Sequence, residues 1–474
     1  MDRSIALERI ARIAGPAGVV GAAEADAFLR DERGLYRGAA ALIVRPRTVD
    51  ECASILRVCH EAGLGVVPQG GNTGYCGGAT PFDAERQILL STSRLDRIRE
   101  IDPVGFTITV EAGVVLANAR AAAAEHGLLF PLSMGSEGSC RIGGNLSTNA
   151  GGLAVLRYGT MRDLVLGLEV VLPDGTVLSE LKGLRKDNTG YDLKSLFVGA
   201  EGTLGLITAA VLKLFPAPRT RQTAWLAVPS LAAACALLGR ARRASGDQVV
   251  SAEYVSRRSL DLVLHHVDGA RDPLDAPHEH YLLLELASGD DESVLREKLE
   301  RILAGGLAAF EVEDGVLAES GAQRNALWML RERVPEAERR EGGSVKHDVS
   351  VRITDVPKFL ELAGRELGAI APHRPSVYGH LGDGNVHYNL LPPEGTSLDA
   401  FRAGGAADRL SRRVHDLAAR LGGSFSAEHG VGVLKADELE RYASPQALAM
   451  MRAVKAAIDP KGIMNPGKVL RGPI

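Results

Sequence analysis

Two histidines, His380 and His387, stand seven positions apart in the stretch Tyr378 to Asn389, with Asp383 and Gly384 between them. On one unbroken strand an odd step would turn the two rings to opposite faces. Asp-Gly flanked by strand-like residues signals instead a two-residue hairpin turn, which pairs position 380 with 387. Both imidazoles then share a face, about 5 Å apart at Cβ, and Asn389 joins them. A second cluster follows at Ser426, Ala427, Glu428, His429 and Gly430. Two neutral imidazoles and a carboxylate form a ligand set for zinc or another divalent transition metal, with a position left open for substrate. On residue types alone, His380, His387 and Glu428 hold a metal and His429 works beside it. A lone histidine on a strand is more often an ordinary surface or hydrogen-bonded residue. The turn-related pair and the adjacent Glu-His step argue for chemistry here.

The elements that position these groups belong to a chain of 474 residues, too long for one core, so two or three domains are expected. Hydrophobic residues make up 45% and charged residues 24%, as in a soluble globular protein, and a net charge of −4 gives no footing for nucleic acid or an anionic membrane. The cysteines (Cys52, Cys59, Cys76, Cys140, Cys235) are scattered, with no Cys-x-x-Cys pair. That fits a reducing compartment, taken as the cytoplasm, and argues against a thiolate metal site. The N-terminal stretch lacks the apolar core of a signal peptide. No apolar run reaches about 18 residues, so no membrane span is expected.

Residues 1–37 read as a charged helical lead-in. Ala41 to Val44 reads as a strand, Thr48 and Glu51 as a capping box opening a helix with Cys52, Ile55, Leu56 and Cys59 on its apolar face, and Val66-Val67 as the next strand. Pro68 to Gly78 then carries five glycines in eleven residues, which permits close approach to a ligand and N–H groups aimed at an anion. It is neither a Rossmann fingerprint nor a Walker A loop. Two more polar glycine segments follow, Gly135 to Gly152 and Gly199 to Ile207. One such segment can be a plain surface loop; three suggest a large cofactor threaded between two lobes. After Pro216 and Pro218 the pattern alternates strand and helix, suggesting an antiparallel sheet with helices on one side. A helix over 326–340 carries Arg331, Arg333, Arg339 and Arg340, three of them read as solvated. Lys346 to Val351 reads as a strand.

These segments together resemble the flavin-dependent oxidoreductases with a vanillyl-alcohol-oxidase-type FAD domain. Within that group the chain is similar to the D-2-hydroxyacid dehydrogenases: D-lactate dehydrogenase, the glycolate oxidase catalytic subunit and D-2-hydroxyglutarate dehydrogenase. The motifs that carry the resemblance are Gly70-Gly71-Asn72-Thr73-Gly74, Ile142 to Asn145, Gly199 to Gly205, Gly379 to His387, Glu428-His429-Gly430 and Asn465 to Lys468. The resemblance implies an α+β protein: a two-lobed FAD domain over 38–217, a substrate domain over 218–420 bearing the metal-site hairpin, and a C-terminal segment, 421–474, returning to the FAD domain. It implies noncovalent FAD, because the first glycine loop has no histidine. Gly70, Gly71, Asn72, Thr73 and Gly74 would wrap the FAD pyrophosphate, Pro68 and Gly78 would also meet the cofactor, and Gly138, Gly143, Gly144, Asn145, Ser147, Thr148 and Gly152 would line it. Glu201, Gly202, Gly205 and Ile207 would reach its adenosine part, and Asn465 joins them. His380, His387 and Glu428 match the family's metal ligands. His429 is implied as general base, Asn389 as holder of the substrate's α-carboxylate, and Arg331 and Lys346 as holders of a distal carboxylate. Pro335 stands where that pattern has threonine.

The implied reaction is oxidation of a D-2-hydroxyacid to the 2-oxoacid, D-2-hydroxyglutarate first, with D-lactate or glycolate as the alternative. The electron acceptor is among electron-transfer flavoprotein, quinones and cytochromes, and a homodimer is among the assemblies allowed. Three rivals remain open on sequence: a cell-wall precursor reductase of the same fold, a metal-dependent hydrolase, and a flavin-holding protein without catalysis.

Overall fold

The computed structural model describes residues 1–472. The described residues divide into two units: one of residues 1–152, 158–217 and 428–472, the other of 153–157 and 218–427.

In the first unit, helix Val49–Ala62 starts where the Thr48 side chain accepts the Glu51 N–H at 3.1 Å. The Glu51 carboxylate reaches back to the N–H of Arg47, at 2.6 Å, one residue before the cap. Cys52, Ile55, Leu56 and Cys59 fall on one face at helical spacing and are all buried. The residues read as a lead-in are part of this core: helix Arg3–Ala14 contributes Ala6, Ile10 and Ala14 to the same cluster. The strands on either side of Val49–Ala62 are not neighbours. Strand Phe82–Ser91 lies between Ala39–Val44 and Gly65–Gln69, parallel to both. From the C-terminal tail, Met464 bridges Val66 in parallel. A second, antiparallel sheet of five strands runs in the order Ile98–Asp102, Thr107–Glu111, Leu206–Lys213, Val165–Val171, Val177–Glu180.

The second unit is built on a seven-stranded sheet, in the order Asp314–Leu317, Thr220–Ala227, His280–Ser288, Val249–Ser256, Arg374–His380, Asn385–Leu391, Val349–Ser350, antiparallel throughout. The expectation of helices on one side is corrected: both faces are covered. Leu282, Leu284 and Leu286 pack into one core with helices Leu231–Ser245, Glu292–Ala308, Val356–Gly368 and Ala406–Arg420. Tyr281 and Leu283 pack into another with helices Arg257–His266, Gly321–Glu332 and Val334–Arg340. The physical sign was in the sequence: Tyr281 to Leu284 is an uninterrupted apolar run, the mark of a strand buried on both sides. The helix expected over 326–340 is two helices meeting at Arg333–Val334, where Pro335 sits in the first turn of the second and needs no N–H partner. Of Lys346 to Val351, only Val349–Ser350 forms a strand.

Candidate active site

The hairpin carrying the two histidines differs from the expected one. Strand Arg374–His380 pairs with Asn385–Leu391 so that Tyr378, not His380, stands opposite His387. The turn spans residues 381–384, closed by the Gly384 N–H donating to the His380 carbonyl at 3.1 Å. Gly384 has φ +80°, and a Cβ there would stand 2.0 Å from the Val351 carbonyl oxygen, so only glycine fits where this longer turn packs against a neighbouring strand end. The register has slipped by two residues, an even number, and an even slip keeps each side chain on its face. His380 and His387 therefore still share a face, as a diagonal pair with ring centroids 5.7 Å apart.

Buried carboxylates organise the cluster around them. Glu253 lies directly across from His380 on the adjacent strand, and its Oε1 is 2.8 Å from His380 Nδ1. Its Oε2 accepts from Arg331 Nε at 2.8 Å. Burial alone would raise the Glu253 pKa, but the charges of His380 and Arg331 prevail and hold it below the usual range. Asp348 places Oδ1 4.0 Å from His387 Nδ1 and accepts from Asn385 Nδ2 at 2.9 Å. Glu338, fully buried, is ion-paired with Lys346 and accepts from Asn389 Nδ2 at 3.1 Å and Ser344 Oγ at 3.2 Å. Tyr378 joins the parts: its ring lies 5.0 Å from that of His387 and 4.7 Å from the Arg331 guanidinium carbon, and its hydroxyl accepts from Asn389 Nδ2 at 3.2 Å. Arg331, Lys346, His380, His387 and Asn389 are thus one connected network. Arg333, Arg339 and Arg340 are exposed, as read.

Sequence reasoning missed Glu253, Glu338, Asp348 and Tyr378. Glu253 had a signal, a lone acid inside the apolar strand Val249–Ser256. Tyr378 opened the motif itself. Glu338 had none, sitting in a helix among charged residues.

Glu428 and His429 belong to the first unit. Ala427, the residue before them, donates its N–H to the Asp348 carbonyl at 3.2 Å. The His429 ring stands edge-on to Tyr75 of the first glycine segment, centroids 4.9 Å apart, and Arg33 covers Tyr75 at 4.0 Å. The loop after His429 is fixed by Glu201, whose carboxylate accepts the N–H groups of Val431 and Gly432 at 2.6 and 2.8 Å. Burial pushes the Glu201 carboxyl above its usual range against those two bonds.

The remaining predicted cofactor residues lie in the first unit and converge. A Cβ on Gly71 would stand 2.2 Å from the Ser139 carbonyl oxygen, so the first and second glycine segments touch backbone to backbone. Glu201 N–H donates to the Ser147 carbonyl at 2.7 Å, bringing in the third segment. Asn465 Nδ2 donates to the carbonyls of Gly78 and Glu201 at 2.9 and 2.7 Å, tying the tail to two of them. Asn72, Asn145 and Thr148 spend their side chains on the protein itself: Asn72 Nδ2 on the Arg30 carbonyl, Asn145 Nδ2 on Cys140 Sγ, Thr148 Oγ1 on the Gly144 carbonyl. Ile207 is in the apolar core. Gly74, Gly138 and Gly144 have nothing within 4 Å of where a Cβ would be, and the buried Oδ1 of Asn465 has no hydrogen-bond partner. Open, glycine-lined backbone with an unsatisfied buried acceptor fits FAD.

Comparison with known proteins agrees with the geometry. The fold is shared with p-cresol methylhydroxylase with substrate bound (TM-score 0.76, 16% identity, covering 98% of this chain and 96% of that one). It is also shared with 4-ethylphenol oxidase from Gulosibacter chungangensis (TM-score 0.72, 16% identity, 99% and 97% covered). It is the vanillyl-alcohol-oxidase-type fold. An FAD binding domain matches residues 40–179, and the C-terminal domain of FAD linked oxidases matches residues 217–469. Fold and domains define an FAD-linked oxidoreductase. D-2-hydroxyglutarate dehydrogenase of Bos taurus mitochondria is 43% identical over 440 residues, covering 92% of this chain and 77% of that protein. The mitochondrial enzyme of that name from Arabidopsis thaliana is 40% identical over 437 residues (92% and 76% covered), and a D-2-hydroxyglutarate dehydrogenase of Xanthomonas citri pv. viticola, not named mitochondrial, is 38% identical over 435 (90% and 88%). The chain belongs to the D-2-hydroxyglutarate dehydrogenase family of FAD-linked oxidases. Among the described residues no helix is long and apolar enough to cross a membrane.

Proposed function

We propose that the chain oxidises a D-2-hydroxyacid to the 2-oxoacid, with D-2-hydroxyglutarate as its substrate. The observation that carries this reading is the network joining Arg331, Lys346, Asn389 and the two histidines, which sets two cations beside a ligand-type imidazole pair. FAD in the glycine cradle supplies the acceptor for the hydride from C2. A divalent metal, zinc by ligand type, would be held by His380, His387 and Glu428 and would supply Lewis acidity toward the substrate hydroxyl. With Nδ1 of His380 engaged by Glu253, we assign ligation to Nε2, the carboxylate-histidine arrangement that orients metal ligands elsewhere.

His429 takes the hydroxyl proton as general base. Arg331 offers its guanidinium to the distal carboxylate while Nε stays on Glu253. Lys346 adds a donor. Asn389 directs Nδ2 to Glu338 and Tyr378, so holding the α-carboxylate means exchanging one of those bonds. One observation favours the second reading, D-lactate or glycolate: Arg331 and Lys346 each already have a buried carboxylate partner, which lessens the positive charge they leave for a dicarboxylate. Anaerobic mixing with a panel of D- and L-2-hydroxyacids separates the two. Fast bleaching of the flavin by D-2-hydroxyglutarate supports the proposal. Fast bleaching by D-lactate alone favours the second reading, and no bleaching by any member removes both. We place the enzyme in the reducing cytoplasm, in line with scattered cysteines that form no Cys-x-x-Cys pair, although several relatives are named mitochondrial. Steady-state assays with electron-transfer flavoprotein, quinone analogues and cytochrome distinguish the acceptors, and sedimentation reads out a homodimer.

A further inference from the structure

Lys468 follows Asn465 by three residues in the turn-rich tail and is only 3% exposed. Its ammonium has no hydrogen-bond partner among the described residues, and no carboxylate there is paired with it. Burial pushes the amine down to about 8. The ammonium lies over the face of the Phe82 ring, 5.1 Å from its centroid. A buried ammonium facing only an aromatic ring is unfavourable unless something supplies the missing acceptor. The side chain is also not on a segment free to swing outward. Asn465 N–H donates to the Val66 carbonyl at 2.8 Å, and Val469 N–H donates to the Gly432 carbonyl at 2.9 Å, so the backbone is tied on both sides of Lys468. Two unsatisfied buried groups, one donor and one acceptor, therefore lie three residues apart in a tail bonded to the glycine cradle.

The charges of the cradle point the same way. Its three glycine segments, 68–78, 135–152 and 199–207, contain one cationic residue, Arg141. One N–H of that guanidinium donates to the Gly113 carbonyl. FAD brings a diphosphate, and its ring gains negative charge on accepting a hydride. Buried charge needs a partner. We propose that Lys468 is the cation of the cofactor site, its ammonium pairing with an anionic oxygen of bound FAD, while Asn465 Oδ1 accepts a hydrogen bond from the same molecule. The oxygen belongs either to the diphosphate or to the carbonyl edge of the flavin ring.

The test is titration of FAD into cofactor-stripped wild type, Lys468→Met and Lys468→Arg, followed by flavin fluorescence, with the midpoint potential of bound flavin measured on each. If the diphosphate is the partner, Lys468→Met weakens FAD binding by about tenfold or more and leaves the potential unchanged. If the ring is the partner, the same change lowers the potential with little effect on affinity. Recovery by Lys468→Arg is expected in either case. Affinity and potential both unchanged in Lys468→Met overturn the proposal. Lys468→Gln replaces the methionine variant if that one is insoluble; insolubility of both, with Lys468→Arg folded, makes the lysine a structural cation and also overturns it. Wild type that takes up no FAD would fail the family assignment, a result distinct from either.

Discussion

Glu253 touches both ends of the proposed chemistry, Nε of Arg331 and Nδ1 of His380, and that makes Arg331 harder to remove than a surface arginine. Arg331→Ala leaves a buried carboxylate short of one partner, at a cost of about 3–5 kcal/mol in denaturant unfolding. A charge-assisted contact to a distal carboxylate is worth roughly 1.5–3 kcal/mol, so kcat/KM for D-2-hydroxyglutarate should fall by about one to two orders of magnitude. D-lactate has no distal carboxylate and serves as the control; equal loss on both substrates would remove the specificity role and leave the structural one. The pH dependence follows from the direction of the Glu253 shift. A carboxyl held below its ordinary value of 4.5 contributes stability that is complete above that pH and is lost as pH falls through the folded-state value. Glu253→Gln should therefore flatten the fall in unfolding midpoint below pH 4.5, and an unaltered slope would show that other carboxylates govern acid unfolding. His380→Ala or His387→Ala should abolish metal content and turnover while the flavin absorbance persists, because the imidazoles stand on the second unit's hairpin and the glycine cradle is in the first. Parallel loss of flavin would contradict that separation.

At the scale of elements the turn 381–384 carries the sharpest expectation. Gly384→Ala puts a Cβ against the Val351 carbonyl in a backbone conformation unfavourable to alanine, so it should unfold more readily, by about 1–3 kcal/mol or more, and should weaken any metal held at the proposed site by disturbing the diagonal His pair. Near-normal stability and metal content would mean that the turn relaxes freely. The same turn shows how far the sequence could be read. Face assignment depends on parity, so His380 and His387 came out on one side even though the turn was misjudged by two residues. Helix starts with a chemical marker, such as Thr48, were legible to the residue. Glu338 was not, because its partners Lys346 and Asn389 arrive from other elements, and only tertiary packing selects which acid in a charged helix is buried.

For the molecule as a whole, the tail from Lys455 to Val469 completes the first unit. Lys455 Nζ is buried against Asp459 Oδ2 at 2.5 Å and the Thr203 carbonyl at 2.7 Å, and Asp459 in turn accepts the N–H groups of Ile463 and Met464 at 3.1 and 2.7 Å. Asp459→Ala should cost about 3–5 kcal/mol by leaving Lys455 without its counter-charge, and should loosen FAD because Asn465 lies just downstream. Full FAD affinity in that variant would show that the tail holds its place by the strand bridge at Val66 alone. The tail has a consequence for synthesis. Every residue of the second unit precedes residue 428, whereas the first unit waits for Met464 to bridge Val66 and for Asn465 to join Gly78 and Glu201. On the ribosome the inserted unit can thus be folded while the unit around it is still open, and FAD capture waits until residues 464–469 have emerged. Nascent chains stalled with residue 440 outside the exit tunnel should protect 218–427 from protease and bind no flavin.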